Sequence, residues 1–418
     1  MRYRYLSIFL LFITAVPPAI AQNNTSPYSI IGIGDIETST FDRSSGMGNA
    51  GISLSSSRFL YQSNPASVSR LDDHFFTAEV SARYKGVSYY GDAAGSTTNN
   101  SADLQVRKFV MAVKIRPWWG ISFGLMPFST SSYSFYAPKS LQGTNQIYQA
   151  YYQGSGGLNE YFLTNAFNIN KHLSVGVQTS YLAGSFLQTE SLDSVTLGTS
   201  LNTTRNIYMA KFYAKAGLQF QTKLSKKWKL GIGATVSNKA ALNTNYYLTV
   251  TTTGGEIVVN NENIQTTNFT IPVMYGGGAS LTYNDKLTFA GDYQHQNWGS
   301  LGYTGLGYAL VNSSRISGGV QYSKNGGYQN NFFERSNLQF GLYYGNSYLD
   351  INGYQIKDYG FSVGAGFSGK DGRMGCQFNM QVGQTGTTQN GLIREDYIQL
   401  GVTLTYRDLW YTKLKKYF

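Results

Sequence analysis

The sequence predicts an all-β chain: a transmembrane antiparallel β-barrel of about fourteen strands, with a small N-terminal hatch or plug inside the barrel. Three observations predict it. Apolar and polar residues alternate with period two along most of the chain after residue 73. Most of the alternating segments exceed the ~9–11 residues that a tilted strand needs to cross hydrocarbon, whereas globular strands average ~5–6. The links between them alternate between tight turns and longer polar loops, as an outer-membrane barrel requires.

The amino end reads as a secretory leader. Arg2 and Arg4 form a positive n-region, Leu6 to Val16 an apolar h-region too short to span a bilayer, and Ala19-Ile20-Ala21 a small-x-small cleavage pattern. The boundaries that follow are a leader at 1–21, a hatch at 22–72, a barrel at 73–408 and a C-terminal periplasmic tail at 409–418. Within the hatch, Ser44 to Leu71 is rich in Gly, Ser and Ala and has no sustained period, while Pro27 to Asp35 is apolar enough to be buried. A compact small-residue segment ahead of a β-rich chain suggests a plug in the barrel's mouth.

The candidate strands are 74–90, 103–116, 119–136, 158–169, 173–188, 203–223, 228–252, 263–283, 286–297, 309–323, 335–348, 356–369, 372–386 and 393–407. Arg116-Pro117-Trp118, Asn170-Lys171-His172, Ser225-Lys226-Lys227, Asn284-Asp285 and Lys370-Asp371 are tight turns. The links 91–102, 137–157, 189–202, 253–262 and 298–308 are long. Asn325 to Glu334 breaks the rule, being long for a periplasmic turn. Pro127 and Pro272 fall inside strand patterns; since proline cannot donate to a ladder, each should mark a strand end, bulge or kink.

Composition narrows the function. Aromatic residues make up 15%, with 34 Tyr and 47 Gly, the signature of strands carrying aromatic girdles at a lipid–water boundary. The net charge of +11 is scattered, with charged residues at only 13%, so nucleic-acid binding is not expected. A single cysteine, Cys376, excludes an intrachain disulfide and a Cys-based metal site. His74, His172 and His295 lie on separate segments, so no metal cluster is expected. There is neither a Gly-x-Ser-x-Gly elbow nor a His-Glu-x-x-His, and no Ser–His pair stands out, so an enzyme is not expected. Gly276-Gly277-Gly278 and Gly364-Ala365-Gly366 lack the Lys-Ser/Thr of a phosphate loop and read as places where the wall curves or neighbours approach. No catalytic residue, cofactor or metal is therefore assigned.

The lumen follows from phase. Tyr208, Ala210, Phe212, Ala214, Ala216, Leu218 and Phe220 face one way; Lys211, Tyr213, Lys215 and Gln219 face the other. A lysine in lipid would cost ~2–4 kcal/mol at the midplane, so Lys211 and Lys215 point inward. Glu79, Arg83, Lys85 and Asp292 follow the same logic. One reading is a hydrated lumen whose ion pairs hold the plug.

Gly46-Met47-Gly48-Asn49-Ala50-Gly51 followed by Asn64-Pro65-Ala66 resembles the hatch of the FadL- and TodX-type outer-membrane transporters of Gram-negative bacteria. Gly124 to Ser129, Asp292-Tyr293 through Trp298 and the aromatic-basic tail Leu409 to Phe418 extend the resemblance. Gly154 to Asn159 resembles Bacteroidetes-like versions. The resemblance implies hatch or gating roles for Gly46, Gly48, Gly51, Asn64, Pro65 and Ala66, and a strand kink with a lateral exit at Pro127. It offers Arg83, Lys211 and Lys215 a second reading as partners of a ligand carboxylate. The implied activity is passive uptake of long-chain fatty acids or other hydrophobic small molecules through a hatch-gated barrel. The implied surroundings are outer-membrane lipids and lipopolysaccharide. The sequence is far from the enterobacterial fatty-acid transporter, so the substrate does not carry over. Members of the same superfamily also serve protein secretion, and the alternative is a component that binds exported proteins on this scaffold.

Overall fold

Alternation gives each strand an apolar face and a polar one, and in lipid such strands are stable only when a closed wall leaves no backbone edge unpaired. The computed structural model describes residues 26–91, 100–140, 147–192, 200–252, 254–324 and 335–410. The leader, the first hatch residues, the link from Asn325 to Glu334 and the tail beyond Trp410 lie outside the described residues.

Numbered along the chain, β1 is Asp35–Ile36, β2 Phe75–Tyr90, β3 Asn100–Arg116, β4 Trp119–Ser140, β5 Ile147–Asn168, β6 Leu173–Leu192 and β7 Leu201–Lys223. Then come β8 Trp228–Ser237, β9 Ala240–Ala241, β10 Asn243–Thr252, β11 Ile257–Ile264, β12 Thr270–Ile271, β13 Met274–Tyr283 and β14 Leu287–Gln296. The last are β15 Thr304–Gly305, β16 Tyr308–Leu310, β17 Ser313–Ser323, β18 Ser336–Ile351, β19 Tyr354–Ser368, β20 Met374–Gly386 and β21 Arg394–Leu409. β8 with β10, and β11 with β13, each make one interrupted wall strand, which brings the antiparallel wall to fourteen strands. Pairing of β2 with β21, from Phe75↔Leu409 to Tyr90↔Arg394, closes the barrel.

Several sequence expectations need correction. The stretch 137–157 is not a loop: β4 runs on to Ser140 and β5 begins at Ile147. The strands expected at 228–252 and 263–283 are broken, because β9 and β12 leave the wall and pair with each other. Pro272 stands directly after β12, where its missing N–H cannot continue a ladder. Their inward turn buries Ala240, Leu242 and Ile271. The expected loop 253–262 contains most of β11.

The outer wall is exposed and apolar, with Phe212, Ile232, Phe289, Ile316, Leu342, Phe378 and Leu400 among its side chains. Trp118 and Trp410 lie at one end and Tyr208 and Tyr136 towards the other. Such a belt on a closed barrel places the protein in an outer membrane. Inside, the buried residues are largely Ser, Gln, Asn and charged groups, including Lys108 paired with Glu79 at 2.8 Å.

Residues 26–72 fill the lumen with three short 3₁₀ helices, Pro27–Ile30, Arg43–Met47 and Pro65–Arg70. Small wall residues let the segment sit against the backbone. A Cβ on Gly341 of β18 would lie 2.2 Å from the Gly48 nitrogen. On the outer face, a Cβ on Gly291 meets nothing nearer than 3.7 Å. Gly341→Val should therefore destabilise the barrel by ~1–3 kcal/mol through overpacking, while Gly291→Val is neutral. Urea unfolding in detergent, followed by tryptophan fluorescence, checks the contrast; equal costs would contradict the seating.

Candidate functional site

The wall has a seam. β3 and β4 pair from Arg116↔Trp119 up to Phe109↔Leu125 and no further. β3 continues on β2, and β4 continues on β5, to the far ends of both ladders. Two bulges flank the parting. Arg107 is the extra residue of β3 between the rungs Ser81↔Lys108 and Ala82↔Val106. Phe128 is the extra residue of β4 between Pro127↔Asn159 and Ser129↔Leu158. On β5, Gly156 and Gly157 have φ of 126° and 147°, a conformation that side chains rarely adopt. Beyond the bulge β4 turns into the lumen, and Phe128, Ser129, Ser131, Ser132 and Tyr133 are all buried without alternation. Leu104, Val106, Phe109, Leu125 and Tyr136 are exposed apolar residues around the opening, and Val106 reaches 75%.

The N-terminal segment supplies the edge that β4 has lost. Ser26 N–H donates to the Ser132 carbonyl at 3.0 Å, and Ser132 N–H donates to Ser29 Oγ at 2.9 Å. β1 adds the rungs Asp35↔Thr130 and Ile36↔Ser129, and Glu37 N–H donates to the Phe128 carbonyl at 2.9 Å. The Glu37 carboxylate then reaches the other side of the seam. Its Oε2 accepts from Arg107 Nη2 at 2.6 Å and from Arg83 Nη1 at 3.2 Å. Arg107 Nη2 also donates to Thr130 Oγ1 at 3.2 Å, and Arg83 Nη2 lies 3.6 Å from Asp103.

Burial alone would push the Glu37 carboxyl upward, but the Arg107 and Arg83 guanidiniums more than offset it and hold it below the ordinary glutamate range. Asp35 goes the other way: its side chain opens on a lumen chamber, but enclosure by the barrel away from bulk water raises it to about 6, and Lys85 offsets only part of that.

Two chambers flank the strap Ile36–Ser39. The first, about 190 Å³, is walled by charged groups including Asp35, Arg83, Lys85, Arg315, Asp358 and Glu395. The second, about 150 Å³, is of mixed lining, with Glu160, Gln178 and Lys215 beside Met126, Phe128 and Met274. A continuous cluster of buried apolar residues includes Trp298 and Tyr348 near the outer mouth, Ile33 and Tyr28 in the lumen, and Phe128 and Leu158 at the seam. Trp298 is fully buried, with its ring centroid 4.7 Å from that of Tyr348 and 6.0 Å from that of Phe269.

The residues singled out in the sequence fall into separate places. Pro127 adjoins the β4 bulge. Arg83 is spent on Glu37 and Asp103, so it is not a free cation. Lys215 lines the second chamber, and Lys211 lines neither chamber and donates to Asn243 Oδ1 at 3.3 Å.

Gly46, Gly48, Gly51, Asn64, Pro65 and Ala66 sit lower, against the wall. Gly48 N–H donates to Ser362 Oγ at 2.8 Å, and the N–H groups of Gly51 and Ile52 donate to Asp292 at 2.7 and 2.9 Å. A Cβ at Gly46 would lie 2.5 Å from Gln339 Oε1. Asn64 caps the helix Pro65–Arg70 through Ala66 N–H, and its Nδ2 donates to the carbonyls of Ile52 and Leu218.

Glu37 and Arg107 were not foreseen. The signal for Arg107 was present: the consecutive cations Arg107-Lys108 cannot both face inward on a regular strand, which calls for a bulge.

A family model described as BamG matches residues 1–417. No curated protein matches the chain. Among solved structures, the Pseudomonas putida toluene transporter TodX is 15% identical with a TM-score of 0.59, covering 91% of this chain and all (100%) of that one. The Ralstonia pickettii toluene transporter TbuX is 13% identical with a TM-score of 0.57, over 92% of this chain and 99% of that one. A Pseudomonas aeruginosa FadL homologue is 13% identical with a TM-score of 0.58, over 91% and 100%. At these identities the likeness is one of fold.

The two carboxyls give the β1 contact opposite pH dependences. Asp35, raised on folding, favours the docked strand below its ordinary range and loses that contribution as pH rises through about 6. Glu37, lowered on folding, contributes at neutral pH and loses its contribution only as pH falls below its ordinary range. Protection of the residue 35–37 amides, corrected for intrinsic exchange, should therefore decline on both sides, as pH rises towards 6 through Asp35 and as pH falls below the ordinary glutamate range through Glu37. Asp35→Asn should remove the decline towards neutral pH; a decline unchanged in that variant would contradict the assignment.

Proposed function

The chain belongs to the BamG family, and from that premise we propose that it carries small hydrophobic molecules, such as long-chain fatty acids or hydrocarbons, passively across the wall of its barrel. The observation that carries this reading is the interrupted β3–β4 ladder, a gap in the wall at membrane depth that only the N-terminal segment fills among the described residues. The shared fold with the toluene transporters TodX and TbuX supports the cargo class.

The apolar cluster from Trp298 to Phe128 provides a path that alkyl groups can enter by displacing side chains. Each methylene buried there contributes ~0.8 kcal/mol. The moving part is the upper strap, residues 26–41. The lower hatch around Gly48, Gly51 and Asn64 stays fastened to the wall, so the Asn64-Pro65-Ala66 turn is an anchor in this mechanism and not the gate. Cargo leaving between β3 and β4 enters hydrocarbon directly and bypasses the charged first chamber, where an apolar solute would be poorly solvated.

A second reading, a scaffold that binds exported proteins, is favoured by one observation. At rest the lumen is sealed and charged, with chambers of only about 190 and 150 Å³.

Ile36 and Ser129 are cross-strand partners, close enough for a disulfide. In a Cys376→Ser background, Ile36→Cys with Ser129→Cys should lock the strap when oxidised. Uptake of a hydrophobic dye into proteoliposomes should fall at least tenfold and recover with reductant. Uptake indifferent to the lock would overturn the sideways route. Native mass spectrometry of the same preparation discriminates the readings: a stoichiometric lipophile supports transport, and a stoichiometric protein without lipophile supports the scaffold.

A further inference from the structure

We propose that Glu37 is the latch of the seam and Arg107 its positioning residue. Glu37 bonds both sides of the parting: its N–H reaches the bulge residue of β4, and its carboxylate reaches the bulge residue of β3. The two bulges thus face one another across this glutamate, and Arg107 Nη2 also crosses directly to Thr130 Oγ1. The ladder rungs of β1 are two, both on the β4 side, and neither touches β3; Tyr348 and Ile393 hold the neighbouring residues Gly34 and Tyr28 on the opposite side of the lumen.

The charges are arranged to make that glutamate decisive. Arg83, Arg107, Glu37 and Asp103 balance as two cations and two anions, all on side chains at most 11% exposed. The Nε groups of Arg83 and Arg107 have no hydrogen-bond partner, and one oxygen of Asp103 has none either. Lifting Glu37 out therefore leaves two guanidiniums side by side with one carboxylate, in a site where water can reach only through the adjoining chamber. Neutralising either side of the pair weakens the closed arrangement locally, because the strap has space to move into: the chambers lie on both sides of Ile36–Ser39. The lower hatch does not share this freedom, since Asp292, Ser362 and Asn64 bond it to the wall independently.

Arg107 works through Glu37. Its Nη2 bonds the Glu37 carboxylate and Thr130 Oγ1 together, fixing the carboxylate against β4 as well as β3. Its guanidinium also lies over the Phe41 ring at 5.5 Å, at the lower end of the strap. Lysine keeps the charge but lacks the planar fork, so Arg107→Lys separates charge from positioning. The latch rests on the sideways route only for what it admits, and it is testable without cargo.

The test is peptide-level hydrogen exchange on the full barrel in nanodiscs, with heat-modifiability on gels as the check of assembly. Glu37→Gln and Arg107→Gln should each speed exchange at residues 35–41 at least tenfold, leave residues 43–71 unchanged, and do no more together than either alone. Arg107→Lys should fall between Arg107→Gln and the parent, which keeps the test alive if the neutral variants assemble poorly. Unchanged protection at 35–41, or loosening spread equally through 43–71, would overturn the latch. Dye uptake on the same samples separates the two ideas. Loosening without faster uptake defeats the sideways route and leaves the latch; faster uptake without loosening defeats the latch.

Discussion

One constraint organises this barrel: in hydrocarbon a strand edge cannot be left unpaired, because each unsatisfied N–H or C=O costs several kcal/mol. Thirteen of the fourteen junctions in the wall meet it with strand ladders, interrupted where β9 and β12 turn inward. The junction between β3 and β4 does not. There the ladder stops at Phe109↔Leu125, and the chain's own amino-terminal segment takes the vacant edge with two rungs, a serine cluster and Glu37. The position of that segment, the bend of β4 into the lumen and the two facing bulges are all consequences of the one interruption.

The lumen shows how a polar interior can be both filled and divided. In its lower half the backbone of the hatch lies directly on the wall at Gly341, Gly176 and Gly233, where side chains would collide. Carboxylates and amides of the wall satisfy the hatch's N–H and C=O groups, Asp292 and Gln219 among them. In the upper half the backbone contact is confined to β4, side-chain bonds and charges make the other contacts, and cavities remain. Backbone-on-backbone seating tolerates almost no displacement, whereas ion pairs beside cavities break one at a time. Rigidity below and freedom above thus follow from residue type, Gly and Asn against Arg and Glu.

Much of this was legible in the sequence. Period two put Lys215, Arg83, Glu79 and Asp292 inside, and lipid cost alone required it. Pro127 and Pro272 were expected to mark a strand end, bulge or kink: Pro127 is a rung adjoining the β4 bulge, and Pro272 stands directly after β12. What was not legible was partnership. Phase tells which way Arg83 points but not that Glu37, on a segment without a period, comes back to meet it. The lengths of β4 and β5 were also hidden. Ala137 to Ser140 contains Pro138 and lacks an apolar phase, so it resembled a loop. The broken strands were missed because the outward phase shifts from even positions in β8, such as Ile232 and Val236, to odd ones in β10, where Asn245 lies opposite Tyr208, and the shift falls on a short stretch whose backbone turns inward.

The choice of what seals the seam bears on what it can do. A complete ladder between β3 and β4 would form and break cooperatively with the rest of the wall, so opening it would approach unfolding. A strap held by two rungs, a serine cluster, tyrosine bonds and a charge latch is a smaller unit, whose contacts can fail without loss of the neighbouring ladders. A buried ion pair is also poor value as a source of stability, since desolvation of both ends cancels most of the attraction. Four buried charges at the interrupted β3–β4 ladder therefore argue for a conformational role. Apolar side chains of similar volume would have sealed the gap at least as firmly, and more permanently.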